Sequence, residues 1–197
     1  MSSALNRASI IIPLASGETA HERLLEDLKN LESEIIVTSE GSRAKSLNAG
    51  AAKARNSFLW FLHADSRVSA ENLVDLAQAL ERRSNTLHYF DLAYEEGGLP
   101  SLNAWGANMR SRLFGFPYGD QGFCISKTLF NKIGGFPENA PYGEDLLFVR
   151  LANRSGVRLN RIPSKLVTSA RKYRQQGWLN LTLLRQWQMM KLLGQEL

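Results

Sequence analysis

The first half of the chain alternates between short apolar runs and longer amphipathic segments. The apolar runs are rich in β-branched and aromatic residues and predict strands at residues 9–14, 34–38 and 58–62. The segments that follow them repeat apolar residues every three or four positions, which predicts helices. This alternation of strand and helix is typical of an α/β sandwich built on a mixed, mainly parallel sheet.

Two of the predicted helices carry recognisable start signals. Thr19 and Glu22 have the spacing of a capping box, and Ser69 is placed to cap the helix after the third strand. The helix between them, at residues 42–55, consists mostly of small side chains, so it can pack close to a sheet.

The second half continues the same pattern less regularly. Strands are predicted at residues 87–92, 122–126, 157–162 and 166–169, and helices at residues 101–114, 143–153 and 178–193. No repeat, low-complexity segment or linker interrupts the chain, so residues 1–197 are interpreted as one domain.

The amino-acid composition excludes several classes of protein. The 197 residues are 44% hydrophobic and 22% charged, which is typical of a globular domain and not of a disordered one. Cys124 is the only cysteine, so an internal disulfide and a zinc site of paired thiolates are excluded. Neither a signal-peptide pattern nor an apolar stretch of the ~20 residues that cross a bilayer is found, so a cytoplasmic protein is expected.

Charge is unevenly distributed along the chain. The net charge is +5, but from Arg150 onward the chain carries ten Lys and Arg residues and one acidic residue, Glu196. This segment therefore has a charge of +9, and the residues before it have −4. Such a basic quarter attracts phosphates, nucleic acid or anionic lipid, or it forms a solvated face.

Asp65 directly follows the most apolar predicted strand. Packing does not require a carboxylate there, and hard cations such as Mg²⁺ or Mn²⁺ use one or two carboxylates together with substrate phosphates. The alternative is that Asp65 closes the turn through a hydrogen bond to the backbone. His63, two residues earlier, is a candidate ligand for metal or phosphate, or else a structural residue.

Two polar loops in the second half hold further candidates. Residues 116–122, FPYGDQG, place Asp120 and Gln121 before an apolar strand, where they form either a site or a plain turn. Glu144 and Asp145 follow a glycine and open a helix. The helix dipole favours carboxylates at that position, which also suits a general base.

Several motifs occur in a specific order along nearly the whole chain. They are SIIIP, GSRAKSLNAGAAKAR, FLWFLHADS, PYGDQGFCISKTLFNKIGGFPE, GEDLLFVRL and TSARKY. In this combination the chain resembles the family 2 glycosyltransferases with a GT-A fold, and within them the small bacterial subgroup described as arsenosugar-biosynthesis-type. The resemblance implies a single nucleotide-diphospho-sugar transferase domain, with a nucleotide-sugar half at residues 1–92, an acceptor and catalytic half at residues 93–170, and a basic amphipathic helix at residues 171–197.

The resemblance also assigns roles to individual positions. The family's metal-binding motif falls on His63 and Asp65, with Asp65 holding Mn²⁺ or Mg²⁺, and the catalytic base falls on Asp145. On the acceptor side the expected residues are Gly119, Asp120, Gln121 and Glu144. At the nucleotide sugar they are Pro13, Ser39, Glu40, Arg43 and His63. Apart from the resemblance, Arg171 and Lys172 after the last predicted strand are candidates for binding the pyrophosphate, or else they are surface charges.

The sequence departs from the family pattern in its first half. Pro13 is followed by LASGE, with Glu18 as the acidic candidate, where the family has a turn of the Pro-x-x-Asn-Glu type. Residues 34–39 then run directly into EGSR, so that about one helix–strand unit of the family is missing. Ser39 or Glu40 takes the place of the aspartate that reads the nucleotide base.

The expected function is inverting transfer of a sugar from a nucleotide-sugar donor to an acceptor hydroxyl, with a divalent metal at Asp65 and with Asp145 as general base. Donor and acceptor are the expected partners, nucleic acid is not, and a homodimer is compatible with the pattern. The alternatives are a degenerate, non-catalytic relative and a phosphate- or nucleic-acid-binding module. A nucleotidyltransferase is disfavoured because LASGETA, after the first strand, has no basic residue.

The C-terminal helix admits two interpretations. Its apolar series is Trp178, Leu181, Leu184, Trp187 and Leu193, with Arg185 and Lys191 between them. It can lie on the inner membrane surface as a basic amphipathic helix, which would make the protein peripheral to the membrane. Alternatively, it packs its apolar stripe on the domain or on a second copy of the chain.

Overall fold

The structure, a computed structural model, describes residues 4–15, 17 and 19–194, except the side chains of Lys172, Gln176 and Leu193. The strands in this part of the chain are β1 (Ala8–Pro13), β2 (Glu34–Thr38), β3 (Phe58–Phe61), β4 (Ser66–Arg67), β5 (Thr86–Tyr94), β6 (Cys124–Ser126) and β7 (Arg158–Thr168). They form one sheet in the order β2-β1-β3-β6-β5-β7-β4.

The sheet is mixed, as predicted. Among the described residues, three neighbouring strand pairs are parallel and three are antiparallel. The sequence predicts that most strand pairs are parallel, and the observed fraction of parallel pairs is smaller. The reason is that the short strands β6 and β4 run antiparallel to their neighbours.

Helices cover both faces of the sheet. They are α1 (His21–Leu28), α2 (Arg43–Lys53), α3 (Ala70–Arg82), α4 (Leu99–Phe114), α5 (Lys127–Ile133), α6 (Glu144–Arg154), α7 (Arg171–Gln176) and α8 (Trp178–Leu193). α1 and α3 pack on one face, and α2, α5 and α6 pack on the other. This arrangement is the predicted α/β/α sandwich.

The central strands divide their side chains between two hydrophobic cores. In β1, Ile10 and Ile12 belong to the core under α1 and α3, whereas Ile11 belongs to the core under α2, α5 and α6. Trp60 and Phe61 of β3 divide in the same way. Both strands are buried on both faces, which is why their sequences are apolar throughout.

One of the two predicted helix starts is confirmed. Ser69 accepts the N–H of Asn72, whose side chain accepts the N–H of Ser69 in return. The capping box predicted at Thr19 is wrong, because α1 begins at His21 without a side-chain cap. The N–H of Glu22 is bonded to the carbonyl oxygen of Thr19 in a turn, so the hydroxyl is not used.

The two strands predicted between residues 157 and 169 are one continuous strand, β7. Phe90 of β5 pairs with Ile162, but the next residue, Asp91, pairs with Lys165. The two extra residues of β7 form an irregularity at Pro163, which has no N–H to donate to the ladder. The proline interrupts the hydrogen bonding and leaves the strand continuous.

Other features lie outside the predicted pattern. The pattern does not predict α5, since a helix of seven residues is too short to establish a helical period. The one helix expected at residues 171–197 is described as two helices, α7 and α8, with Gly177 between them. β2 forms one edge of the sheet and is followed at once by α2, at the position where the sequence comparison with the family predicts that a helix–strand unit is missing. None of the helices in the described residues combines the length and the apolar character that crossing a bilayer requires.

Candidate functional site

The carboxyl ends of β1, β2 and β3 meet at one edge of the sheet. These strands are parallel, and the register pairs Pro13 at the end of β1 with Thr38 at the end of β2. Ile11 of β1 pairs with Phe61 at the end of β3. The loops that follow the three strands therefore turn into a common cleft, at the edge where α/β sheets bind ligands.

This strand-end cleft has a volume of about 330 Å³. Five of the residues predicted at the nucleotide sugar line it, namely Pro13, Ser39, Arg43, His63 and Arg171. Asp65, the predicted metal ligand, lines it as well. Arg171 comes from the far end of the chain, because β7 runs in the same direction as β3 and ends at the same edge of the sheet.

Glu40, which is predicted at the nucleotide, does not line the strand-end cleft. Its carboxylate is exposed and lies 3.5 Å from Lys53 Nζ in α2. Its backbone N–H donates to Ser46 Oγ at 2.8 Å, which holds the loop against α2. Of the two residues that could replace the family's aspartate, Ser39 is therefore the one that lies in the cleft.

A larger central cavity of about 410 Å³ adjoins the strand-end cleft. The two share Arg43, His63 and Asp65. On its other side the central cavity is lined by carboxylates from both polar loops, Asp120, Glu144 and Asp145. The fold thus brings together the acidic residue after β3 and those of two loops far along the chain.

Asp145 is held at the start of α6. Gly143, the N-cap of this helix, has a left-handed conformation with φ of 67°, in which a side chain would be strained. One carboxylate oxygen of Asp145 accepts the N–H of Leu146 at 2.8 Å. The other accepts the N–H of Gly119 at 2.8 Å and so joins α6 to the FPYGDQG loop.

Arg43, the first residue of α2, connects the two sides of the site. Its Nε lies 3.2 Å from Glu144 Oε1, and its Nη2 lies 3.7 Å from Asp145 Oδ2. Nη2 also contacts Nε2 of His63. Gly119 permits this approach, because a Cβ at that position would collide with Nη2 of Arg43.

Asp120 is withdrawn from solvent, and its Oδ1 atom is buried without a hydrogen-bonding partner in the described part of the chain. Burial raises the pKa of Asp120 above that of an exposed aspartate. The guanidinium of Arg185 opposes this rise in pKa, and the nearby carboxylate of Asp145 adds to it. Asp120 therefore holds a proton more readily than an ordinary surface aspartate does.

We expect Asp120→Asn to stabilise the protein at neutral pH. The folded-state pKa of Asp120 lies above its unfolded value, so its favourable contribution is present at acid pH and is lost as the pH rises through the folded pKa. The variant should be more stable than wild type at pH 7, because the neutral amide avoids the cost of burying a charged carboxylate. Thermal unfolding from neutral to acid pH should show this advantage shrinking, and a variant less stable than wild type at pH 7 would refute the assignment.

Gln121 is fully buried and does not line the central cavity. Its side-chain oxygen accepts from Ser111 Oγ at 2.8 Å and from the N–H of Tyr118 at 3.0 Å. Its amide group donates to the carbonyl oxygen of Phe90 at 2.9 Å. The prediction that Gln121 binds the acceptor is therefore wrong, because its hydrogen bonds fasten the loop that carries Asp120 to α4 and β5.

A third cavity of about 340 Å³, the helix cavity, lies between α4 and α8 and adjoins the central cavity. The two share Asp120 and four residues that the sequence analysis does not predict as site residues, Tyr94, Tyr118, Tyr173 and Arg185. Arg185 donates to the hydroxyl of Tyr173 at 3.0 Å. Burial raises the pKa of Tyr118 to about 12, so its hydroxyl keeps its proton at neutral pH.

Helical spacing is the signal that could have found Arg185. It lies four residues after Leu181 and seven before Leu192, both of which are buried, so the same face of α8 carries all three. The tyrosines have no comparable signal, since each belongs to a different element and only the tertiary fold brings them together.

Asp65 fits a divalent cation only together with a substrate. Its carboxylate makes no hydrogen bond or ion pair with another of the described residues, so it is available in the cleft. In the same part of the chain no group of three His, Cys, Asp or Glu side chains could hold a metal alone. One carboxylate supplemented by substrate phosphates is a usual site for Mg²⁺ or Mn²⁺. The candidates Glu18 and the Lys172 side chain lie outside the described residues.

Some basic residues of the C-terminal quarter form ion pairs within the domain. Arg161 donates two hydrogen bonds to Asp91, at 2.8 and 2.6 Å. Arg174 forms an ion pair with Glu96 at 2.8 Å. The excess of positive charge that remains available for a ligand is therefore smaller than the sequence count suggests.

No family model matches the chain, and no curated protein does. Solved structures of S. aureus TarS, a glycosyltransferase, are similar to it. The TarS 1–349 structure gives a TM-score of 0.62 at 15% identity and covers 82% of this chain and 60% of that one. A longer TarS structure gives 0.60 at 15% identity, with 83% and 36% covered. TarS 1–349 in complex with UDP-GlcNAc gives 0.59 at 16% identity, with 82% and 58% covered.

This chain spans less than two thirds of the length of each of those structures. At such identities the likeness concerns the fold, and it agrees with the single α/β domain and the mixed seven-stranded sheet described above. The chain therefore has the fold of a GT-A-like glycosyltransferase domain.

Proposed function

We propose that this domain transfers a sugar from a nucleotide-sugar donor to an acceptor hydroxyl, with inversion at the anomeric carbon, as a family 2 glycosyltransferase does. The observation that carries the proposal is that Asp65 and Asp145 lie on adjoining cavities and that Arg43 lies between them. One carboxylate is available where a leaving diphosphate would lie, and the other is available where a hydroxyl would attack. A single displacement at the anomeric carbon needs these two groups on opposite sides of the sugar.

The strand-end cleft has the chemistry that a nucleoside diphosphate requires. Arg43 and Arg171 offer guanidinium groups to phosphate oxygens, and Ser39 offers a hydroxyl at the end of β2. The TarS structure in complex with UDP-GlcNAc supports a nucleotide sugar as the donor class. Asp65 would hold Mn²⁺ or Mg²⁺ jointly with the diphosphate, and such an ion stabilises the charge that develops on a leaving diphosphate.

Asp145 is the proposed general base. It takes the proton of the acceptor hydroxyl while that oxygen bonds to the anomeric carbon and the bond from this carbon to the diphosphate breaks. The proton ends on Asp145, and the electron pair of the broken bond ends on the nucleoside diphosphate. The N–H groups of Gly119 and Leu146 orient the carboxylate for this step.

The acceptor is proposed to occupy the central cavity beyond Asp145. Glu144 and Asp120 line this part of the cavity, and the protonated hydroxyl of Tyr118 lies there as a hydrogen-bond donor. Residues 1–92 would then bind most of the donor and residues 93–170 the acceptor. Arg171 is the exception, since it belongs to the C-terminal segment and lines the donor side.

A thermal-shift panel of nucleoside diphosphates and nucleotide sugars, measured with Mn²⁺, tests donor binding. We expect compounds of one nucleotide base to stabilise the protein by about 2.7 kcal/mol at a hundred times Kd, and inorganic pyrophosphate to stabilise it less. Absence of a shift with every nucleotide would overturn the proposal. The alternative of a degenerate, non-catalytic domain, in which the missing helix–strand unit has removed donor binding, would then be favoured.

A further inference from the structure

Several residues that line the helix cavity have buried polar atoms without a partner. Nη2 of Arg110, Oδ1 of Asp120 and Nε1 of Trp178 are buried and make no hydrogen bond with any other of the described residues. Buried polar groups in folded proteins are normally hydrogen-bonded, because leaving one unpaired costs free energy. Three such atoms on residues that line one cavity indicate that a ligand bonds to them there.

Arg110 and Arg185 reach this cavity from α4 and α8, respectively. Arg110 donates from Nε to the carbonyl oxygen of Phe116 at 2.9 Å, and its guanidinium lies 3.7 Å from the ring centroid of Tyr118. Arg185 donates to the hydroxyl of Tyr173 at 3.0 Å. It lies on the face of α8 that packs on the domain, as one of the two predicted interpretations of this helix expects. Neutral groups therefore hold both guanidinium groups in place.

Other arginines of the same region are paired with a carboxylate. Arg112, two residues after Arg110 on α4, and Arg161 of β7 both donate to Asp91. Within the part of the chain that the structure describes, neither Arg110 nor Arg185 forms an ion pair with a carboxylate. Two half-buried guanidinium groups without a paired carboxylate favour an anionic ligand, because they have charge-assisted hydrogen bonds to offer.

The helix cavity and the central cavity differ in charge. Among the described residues, the helix cavity is lined by two arginines and a single carboxylate, that of Asp120. The central cavity is also lined by two arginines, but by four carboxylates, those of Asp65, Asp120, Glu144 and Asp145. Burial raises the pKa of Asp120, which favours its neutral form and weakens its repulsion of an anion. An anionic group is therefore favoured in the helix cavity and disfavoured beside Asp145.

We propose that the helix cavity binds a phosphate group of the acceptor through Arg110, Arg185 and the indole N–H of Trp178. This inference rests on the proposed function, in which the attacking hydroxyl of the acceptor lies at Asp145. Donors from two helices suit the several oxygens of a tetrahedral phosphate better than a flat carboxylate. A hydroxyl of the same molecule can donate to Oδ1 of Asp120, the third unpaired atom. The acceptor is then a phosphorylated hydroxyl compound that extends from the helix cavity into the central cavity.

The indole N–H signal of Trp178 in proton–nitrogen correlation NMR tests this proposal locally. Trp178 lines the helix cavity but neither the central cavity nor the strand-end cleft, and comparison with Trp178→Phe assigns its signal. Wild type is titrated at constant ionic strength with glucose 6-phosphate, glucose and gluconate, which share a carbon skeleton and differ in charge. We expect glucose 6-phosphate to shift the signal saturably at up to about 50 mM, a range that detects a millimolar Kd. Glucose should not shift it, and gluconate should bind more weakly than the phosphate.

Four variants test which side chains hold the phosphate. Arg185→Gln should raise the Kd for glucose 6-phosphate at least about tenfold, since charge-assisted hydrogen bonds are lost, and Arg185→Lys should restore part of the affinity. Asp120→Asn should bind at least as tightly as wild type, because it removes a negative charge and keeps a side-chain oxygen. Arg82→Gln on α3 is the matched control. Arg82 is exposed and lines a separate groove, so its loss should leave the Kd unchanged.

The results that would overturn the proposal are specific. They are no shift of the Trp178 signal with glucose 6-phosphate, equal binding of gluconate, or an equal loss of affinity in Arg185→Gln and Arg82→Gln. A response to glucose as strong as that to the phosphate, weakened in Asp120→Asn, would assign the cavity to a neutral polyol instead. Nucleotide thermal shifts on the same proteins report the donor site separately. Nucleotide binding without a response at Trp178 would refute the phosphate site alone, and the reverse would refute the transferase function alone.

Discussion

Asp145→Asn should lower the rate of glycosyl transfer by ~10²- to 10⁴-fold, the contribution of a positioned general base. The amide cannot take the acceptor proton, whereas the strand-end cleft is unchanged. Asn can accept only one of the two N–H bonds that Asp145 accepts from Gly119 and Leu146, so a loss of about 1 kcal/mol in stability should accompany the substitution. Steady-state kinetics should therefore show a fall in kcat with KM for the donor unchanged.

Glu144→Gln is the matched comparison for this result. Glu144 precedes Asp145 and lies 3.2 Å from Arg43, but no hydrogen bond to a loop N–H orients its carboxylate among the described residues. We expect Glu144→Gln to reduce turnover by less than about tenfold, because a partly exposed ion pair contributes about 1 kcal/mol or less. If the two variants lose turnover equally, the assignment of the base to Asp145 fails.

Asp65→Asn should remove the metal-dependent part of donor binding. Asp65 is the one carboxylate that lines the strand-end cleft among the described residues, and a neutral amide is a poorer ligand for a hard cation. A nucleotide at a hundred times the wild-type Kd should stabilise wild type by about 2.7 kcal/mol. If the variant binds it a hundredfold more weakly, the same concentration should stabilise the variant by only a few tenths of a kcal/mol. Thermal shifts with the nucleotide, measured with and without Mn²⁺, separate this effect from donor binding itself.

The control for Asp65→Asn is Asp75→Asn. Asp75 lies on α3 and lines a separate groove on the molecule, so its substitution should leave the Mn²⁺-dependent shift intact. A full Mn²⁺-dependent shift in Asp65→Asn would show that the metal is not held by this residue. A shift lost in both variants would point to general destabilisation rather than to the site.

The layers of the fold were predictable because the sequence of each strand shows which of its faces are buried. β1 and β3 are apolar throughout since both of their faces are covered, and this distinguishes them from surface strands. The continuity of β7 was not predictable, because Pro163 is compatible with both a break and an irregularity in the ladder. The orientation of β6 depends on its pairing with β3 and β5, which no local pattern specifies.

The candidate site was predictable where a residue occupies the end of a strand or the start of a helix. Asp65, Arg43 and Asp145 have such positions, and the parallel strands bring their loops to one edge of the sheet. Side-chain direction within a loop depends on partners that are distant in sequence. Gln121 turns inward to the backbone of β5, and Glu40 turns outward to α2, although both follow recognisable motifs.

The measurement that tests the central claim most directly is proton NMR of the wild-type protein with Mn²⁺ and the nucleotide sugar selected by the thermal-shift panel, with water as the acceptor. The account predicts that nucleoside diphosphate accumulates and that the released sugar first appears with the anomeric configuration opposite to that of the donor. In Asp145→Asn the rate of this release should be lower by a factor of ~10² or more. Release by wild type no faster than by Asp145→Asn, or a first product with the configuration of the donor, would contradict inverting transfer by this site.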